Sequence, residues 1–255
     1  MYQILDRGVR LAFIDEKPAA LCRGIPVLLI HGFASNHAVN WVFPQWVKTL
    51  TGAGRRVIAF DNRGHGRSEK FYDPAAYSLP AMAEDARAIL DALDIPAADV
   101  MGYSLGARIA AFFAKAHGQR LSRMILGGIG DNLFTRPGLS QTIAAAMEAP
   151  SVQCLADPLD RTFRGFAEKT KSDLKALAAC ARGARQVLSE SELREIDLPV
   201  MIVMGTEDQI GGDPHALARA FKRAFAVDIL GRDHNQTLGD KVYKDSVLDF
   251  LEQNP

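Results

Sequence analysis

Cysteine is scarce in this chain. Its three cysteines, Cys22, Cys154 and Cys180, are odd in number and far apart, and no C-x-x-C pair occurs. The spacing that would suggest a zinc or redox site is absent, and free thiols in a reducing compartment are the simplest reading. An excess of either charge is lacking too: Lys and Arg total 30 against 30 Asp and Glu, for a formal net charge of zero. That balance removes the electrostatic footprint of a nucleic-acid or anionic-membrane binder. It also gives little self-repulsion, so a monomer or a homodimer is expected. No stretch is long and apolar enough to span a bilayer, and the opening residues carry an early charge pair in place of a signal-peptide core. A soluble cytoplasmic protein with no membrane or nucleic-acid partner is the expectation. Internal repeats and low-complexity segments are missing as well.

What is present is a regular alternation. The 255 residues can bury a large core as one α/β domain without disulfide or metal. Residues 2–5 and 9–14 read as an antiparallel hairpin around Asp6-Arg7-Gly8, with Gly8 supplying a positive φ. Pro26-Val27-Leu28-Leu29-Ile30 is apolar throughout, as in a parallel strand covered on both faces. The pattern then predicts a helix over 42–50, a strand over 56–60, and a turn over 61–68 too polar for the core. A helix over 80–93, a strand leading to Ser104, a helix running to His117 and a strand over 123–128 follow. Strands at 199–205 and 226–230, a helix opened by Asp213-Pro214 and a last helix over 242–251 close the chain. Alternation of this kind implies a mostly parallel sheet with right-handed crossovers. The rhythm breaks between 131 and 196, where helix formers at 140–147, 162–170 and 172–182 are interrupted by Pro137, Pro150 and Pro158. A core of residues 1–130 and 197–255 is therefore expected, with 131–196 a helical cap over the carboxyl edge of the sheet.

The stretch Gly102-Tyr103-Ser104-Leu105-Gly106 has a strand pattern before it and a helical pattern after it, the context in which G-x-S-x-G makes a nucleophile turn. A serine in a strained conformation brings neighbouring backbone so close that side chains at 102 and 106 would collide. Leu105, at the helix N-terminus, can offer its N–H to a developing oxyanion. Serine is a weak nucleophile without a base, and six histidines are available. His31 and His65 adjoin glycines in turns and suit loop-tying hydrogen bonds, His117 ends a helix and His215 begins one. His37 sits in a loop that could face and support the site. His234 follows the last strand, where a loop can swing an imidazole towards Ser104, and is the candidate base. Asp208, just past the strand ending at Gly205, is the candidate acid that fixes the imidazole. Glu207 competes with it on spacing and Asp131 on topology.

Four pieces together resemble the α/β-hydrolase superfamily: His31-Gly32-Phe33, the run from Asp61 through Asn62-Arg63-Gly64-His65-Gly66-Arg67 to Ser68, Gly102 to Gly106, and Gly205-Thr206-Glu207-Asp208 with His234. The resemblance extends over nearly the whole chain. It implies an α/β-hydrolase fold with a mostly parallel eight-stranded sheet, a helical cap after the sixth strand, and hydrolysis through an acyl-enzyme on Ser104 with His234 and Asp208. By position it assigns the second oxyanion N–H to Phe33, beside Leu105. Asp233 stands where the family commonly has glycine. Family members that open epoxides or displace halide carry aspartate at the turn, and dienelactone-type members carry cysteine. Serine points to acyl chemistry on a small-molecule ester, thioester, lactone or amide, with no cofactor and no metal.

Phe33, Trp41, Phe43, Leu133, Phe134, Leu139 and Phe163 are candidates for an apolar acyl pocket, though each also suits plain packing. The cap carries Arg161, Arg164, Lys169, Lys171, Lys175, Arg182 and Arg185, read as solvated helix faces in preference to recognition of an anionic acyl or CoA group. The expected activity is that of a carboxylesterase on small or medium acyl esters. C–C bond hydrolysis, acyl transfer or perhydrolysis on the same residues, and a non-catalytic receptor, are the alternatives.

Overall fold

In the computed structural model, which describes residues 2–6, 8–19, 22 and 24–252, the apolar runs become the strands of one sheet. β1 (Tyr2–Asp6) and β2 (Val9–Glu16) pair antiparallel with Tyr2 opposite Phe13, and Gly8 turns the chain at φ +79°. Arg7 of that turn, Met1, and residues 253–255 of the expected core lie outside the described residues. β3 (Val27–Ile30) and β4 (Val57–Phe60) are buried at every position. Between them lie a π-helical turn, Ala38–Val42, and α1 (Trp46–Gly52). The expected helix over 42–50 is broken because Gln45 adopts a left-handed conformation, φ +69°. α2 (Leu79–Ala92), β5 (Ala98–Tyr103), α3 (Leu105–His117) and β6 (Leu121–Gly127) continue the alternation.

Five α-helices, one 3-10 turn (Val152–Cys154) and no strand separate β6 from the next strand: α4 (Asn132–Thr135), α5 (Gln141–Glu148), α6 (Pro158–Lys169), α7 (Leu174–Gly183) and α8 (Glu190–Glu195). Pro158 opens α6 instead of interrupting the segment. Proline is tolerated in a first turn, and the Asp157 carboxylate caps it by accepting from the N–H groups of Leu159 and Asp160. Ser189 and Glu192 cap α8 reciprocally. β7 (Val200–Gly205), α9 (Pro214–Ala220), β8 (Ala224–Ile229) and α10 (Lys241–Glu252) complete the chain.

The eight strands run in the order β1-β2-β4-β3-β5-β6-β7-β8. β2 is antiparallel to both β1 and β4, and every later pairing is parallel. Strand periodicity sends Leu28 and Ile30 into a core shared with α2, α3 and the 131–196 helices, and Val27 and Leu29 into a core shared with α1 and α10. In the latter, Trp46 donates from Nε1 to the Leu238 carbonyl at 2.7 Å and meets the Tyr243 ring edge-on.

The turn over 61–68 is not the surface loop its polarity predicts. Asp61, Asn62, Arg63, His65 and Ser68 are buried, and most of their polar groups find partners within the turn or on neighbouring elements, Asn62 Oδ1 and His65 Nε2 being exceptions. Asp61 accepts from the N–H and Nδ1–H of His37 and from the N–H of Arg67. The Ser68 hydroxyl donates to the Asp61 carbonyl and accepts from Ala12. Arg63 grips the Asp85 carboxylate of α2 with two bonds, 2.7 and 2.6 Å. Buried polar groups paired in this way avoid the desolvation penalty that would otherwise expel them.

Candidate active site

β5 hands the chain to α3 in a single residue. Ser104 takes φ +54°, ψ −112°, a strained conformation that costs a non-glycine residue on the order of 1–3 kcal/mol. The two flanking glycines make the turn possible: a Cβ on Gly102 would lie 2.2 Å from the Gly106 carbonyl oxygen. The N–H groups of Leu105 and Phe33 donate no hydrogen bond among the described residues. Their neighbour Gly32 is fixed instead, its N–H held by Asn40 Oδ1 at 2.7 Å. Two unspent donors thus flank a strained serine, the arrangement an oxyanion requires.

Asp208 and His234 approach from the ends of β7 and β8. The His234 Nδ1–H donates to Asp208 Oδ2 at 2.7 Å, and Asp208 Oδ1 accepts from the N–H groups of Ile210 and Gly211. Burial by itself would raise the Asp208 carboxyl, but the His234 bond and charge and the two backbone donors outweigh it and hold the carboxyl below its ordinary range. An ionised acceptor assigns the proton to Nδ1 and leaves Nε2 able to accept one. Ser104 and His234 line the same cavity, without a hydrogen bond between them. The rival acids are elsewhere: Glu207 is exposed, and Asp131 accepts from the Asp213 N–H.

The other histidines have structural partners. His31 Nε2 accepts from the Asn62 N–H and its Nδ1–H donates to the Gly32 carbonyl. Burial pushes its pKa down to about 4, and burial pushes that of His65 down to about 3, so both stay neutral. His37 is tied to Asp61 and is not in the cavity wall, His117 meets Glu84 and His215 meets Asp228.

Two cavities share Ser104, Phe163 and Ile210 in their walls. The smaller, about 60 Å³, adds Phe33, Phe166, His234 and Leu238. The larger, about 320 Å³, extends past Leu105, Leu139 and Ile143 and carries Arg108, Arg136 and Arg185. Of the expected apolar wall, Phe33, Leu139 and Phe163 are in place. Trp41 belongs to the opposite face of the sheet and Leu133 to the core, while Phe43 is 71% exposed. Tyr103 is a residue the sequence reading passed over: its hydroxyl donates to the His234 carbonyl. Tyr103 also lines the smaller cavity, and its place next to Ser104 was the available signal.

A family model described as the alpha/beta hydrolase fold matches residues 25–147. The structure is also similar to the enol-lactonase from Burkholderia xenovorans LB400, with a TM-score of 0.80 at 20% identity, covering 99% of this chain and 100% of that one. The chain has the α/β-hydrolase fold. Among curated relatives, epoxide hydrolase B of Mycobacterium tuberculosis is 33% identical over 126 residues, 49% of this chain and 34% of that protein. A 2-hydroxymuconate semialdehyde hydrolase of Pseudomonas sp. (strain CF600) is 38% identical over 130 residues, 49% of this chain and 42% of that protein. The matches thus span less than half the length of these two relatives. Among the described residues, no helix is long and apolar enough to cross a membrane, and no cluster of three or more His, Cys, Asp and Glu could hold a metal ion.

Proposed function

We propose that the protein is a serine hydrolase that cleaves small or medium acyl esters through an acyl-enzyme on Ser104. The observation that carries this reading is the strained Ser104 between two unspent N–H donors, in one cavity with an imidazole whose far nitrogen is held by a buried carboxylate. His234 Nε2 takes the Ser104 proton as Oγ attacks the ester carbonyl, and Asp208 stabilises the imidazolium that forms. The Phe33 and Leu105 N–H groups hold the oxyanion. The proton then passes to the leaving alcohol as its C–O bond breaks, and water activated by His234 releases the acid. In this reading the 131–196 helices act as a cap, because Thr162, Phe163 and Phe166 of α6 close the cavity over Ser104. The three free cysteines suit the reducing environment of a cytoplasmic enzyme.

A hydroxyl at the turn weighs against epoxide opening, which needs a carboxylate there to form an alkyl ester. C–C bond hydrolysis is a second reading, favoured by the likeness to the semialdehyde hydrolase. The experiment is turnover of a p-nitrophenyl acyl ester series, with fluorophosphonate labelling read by intact-protein mass spectrometry. The ester reading expects single labelling, turnover, and loss of both in folded Ser104→Ala. Turnover surviving that substitution would refute it, and labelling without ester turnover would move the assignment to C–C hydrolysis.

A further inference from the structure

The larger cavity has an unusual charge for a space that opens on an acyl-transfer site. Arg108, Arg136 and Arg185 stand in its wall, and no Asp or Glu does. Arg108 lies four residues beyond Ser104 on α3, on the same helix face, and is 6% exposed. Its guanidinium donates to the carbonyls of Asn132 and Leu133, which leaves donors of its five unused. Burial alone pushes its pKa down to about 10, with no carboxylate acting on it. Arg185 donates to the Leu139 carbonyl and, like Arg136, is in no ion pair among the described residues. Two other arginines of the 131–196 segment do have carboxylate partners, Arg164 with Glu168 and Arg182 with Glu148. A buried cation without a counter-charge is costly unless an anion arrives to meet it.

The position of the base decides which part of a substrate goes where. His234 lines the smaller cavity and not the larger, and the leaving alcohol must lie within reach of the proton that His234 returns. The acyl chain then runs the other way, past Leu105 and along α3 to Arg108, one helical turn of about 5.4 Å further on.

We propose that the larger cavity is the acyl site and that it selects acyl groups ending in a carboxylate, such as half-esters of short dicarboxylic acids, held by Arg108, Arg136 and Arg185. This rests on the acyl-enzyme reading of Ser104. The step balances without a co-reactant other than water: the Oγ–acyl bond forms as the ester C–O bond breaks, the serine proton leaves with the alcohol, and water releases the dicarboxylic acid.

Two measurements on the full chain test it. The first is calorimetric titration with glutarate and with butyrate, in the wild type, Arg136→Gln and Arg185→Gln. Glutarate is expected to bind about tenfold tighter than butyrate, and each variant to lose much of that margin, the scale of one charge-assisted hydrogen bond. The exposed Arg136 serves as the variant that does not threaten folding. The second is the ratio of kcat/KM for p-nitrophenyl hemiglutarate over p-nitrophenyl valerate, expected to exceed about ten in the wild type and to fall through KM in both variants. Glutarate binding no tighter than butyrate, or a ratio near one, would overturn the proposal. Glutarate binding that the variants weaken, with no turnover and no labelling of Ser104, would refute the acyl-enzyme reading and the acyl role while leaving an anion site.

Discussion

A Cβ added to Gly106 would lie 2.0 Å from the carbonyl oxygen of Ile30. The first turn of α3 therefore rests directly on the end of β3, and neither backbone can yield. Gly106→Ala is expected to cost about 3 kcal/mol in urea unfolding, the upper range for overpacking. Gly165, inside α6 with open space around its Cβ position, should behave oppositely, with Gly165→Ala gaining about 0.5–1 kcal/mol from helix propensity. Equal effects at the two sites would contradict the geometry.

Asp208 accepts the Nδ1–H of His234, and an amide there can present an N–H to that nitrogen and stabilise the wrong tautomer. Asp208→Asn is expected to lower kcat for a p-nitrophenyl ester by about 10³–10⁴-fold, while circular dichroism stays native. A loss below about tenfold would remove Asp208 from the proton-transfer chain.

Acid should destabilise the fold before it protonates most carboxylates. Burial holds the folded pKa values of His31 and His65 at about 4 and about 3, against 6.5 for the free side chain. Between those values the unfolded chain binds more protons than the folded one, so stability falls as pH drops from 6.5 and this loss levels off near the folded values. At about 1.4 kcal/mol per unit of difference, the slope is large enough to read in Tm between pH 7 and 4. His65→Gln should flatten that slope, and an unchanged slope in a folded variant would exclude His65 as its source.

Asp85 on α2 and Arg63 in the turn after β4 form a buried bidentate pair. Asp85→Ala leaves the guanidinium without its carboxylate and should cost about 3–5 kcal/mol in chemical denaturation. Arg63→Met combined with Asp85→Leu should recover part of that loss, since an apolar pair removes both desolvation costs. Additive losses in the double variant would count against a coupled pair.

Much of the sheet was legible because continuous apolar runs such as Val27–Ile30 have few structural uses. The meeting of Ser104, Asp208 and His234 around one cavity was legible for a related reason, since each follows a strand-like run and topology gathers the carboxyl ends of parallel strands. The burial of residues 61–68 was not legible, because it depends on partners such as His37 and Ala12 that only folding brings near. The π-helical turn at Ala38–Val42 was missed because apolar spacing does not report helix pitch over five residues. Arg108 was passed over although its place four residues after Ser104 was visible. Its meaning came from the cavity wall, where no acid accompanies it.

Tyr103 immediately precedes Ser104, and its hydroxyl holds the backbone of His234. The serine and the histidine are thereby carried on one lever, the last residues of β5. A displacement of that strand end would therefore act on Ser104 and on the His234 backbone together. The proposed base and nucleophile thus share an anchor in the sheet, at the end of β5.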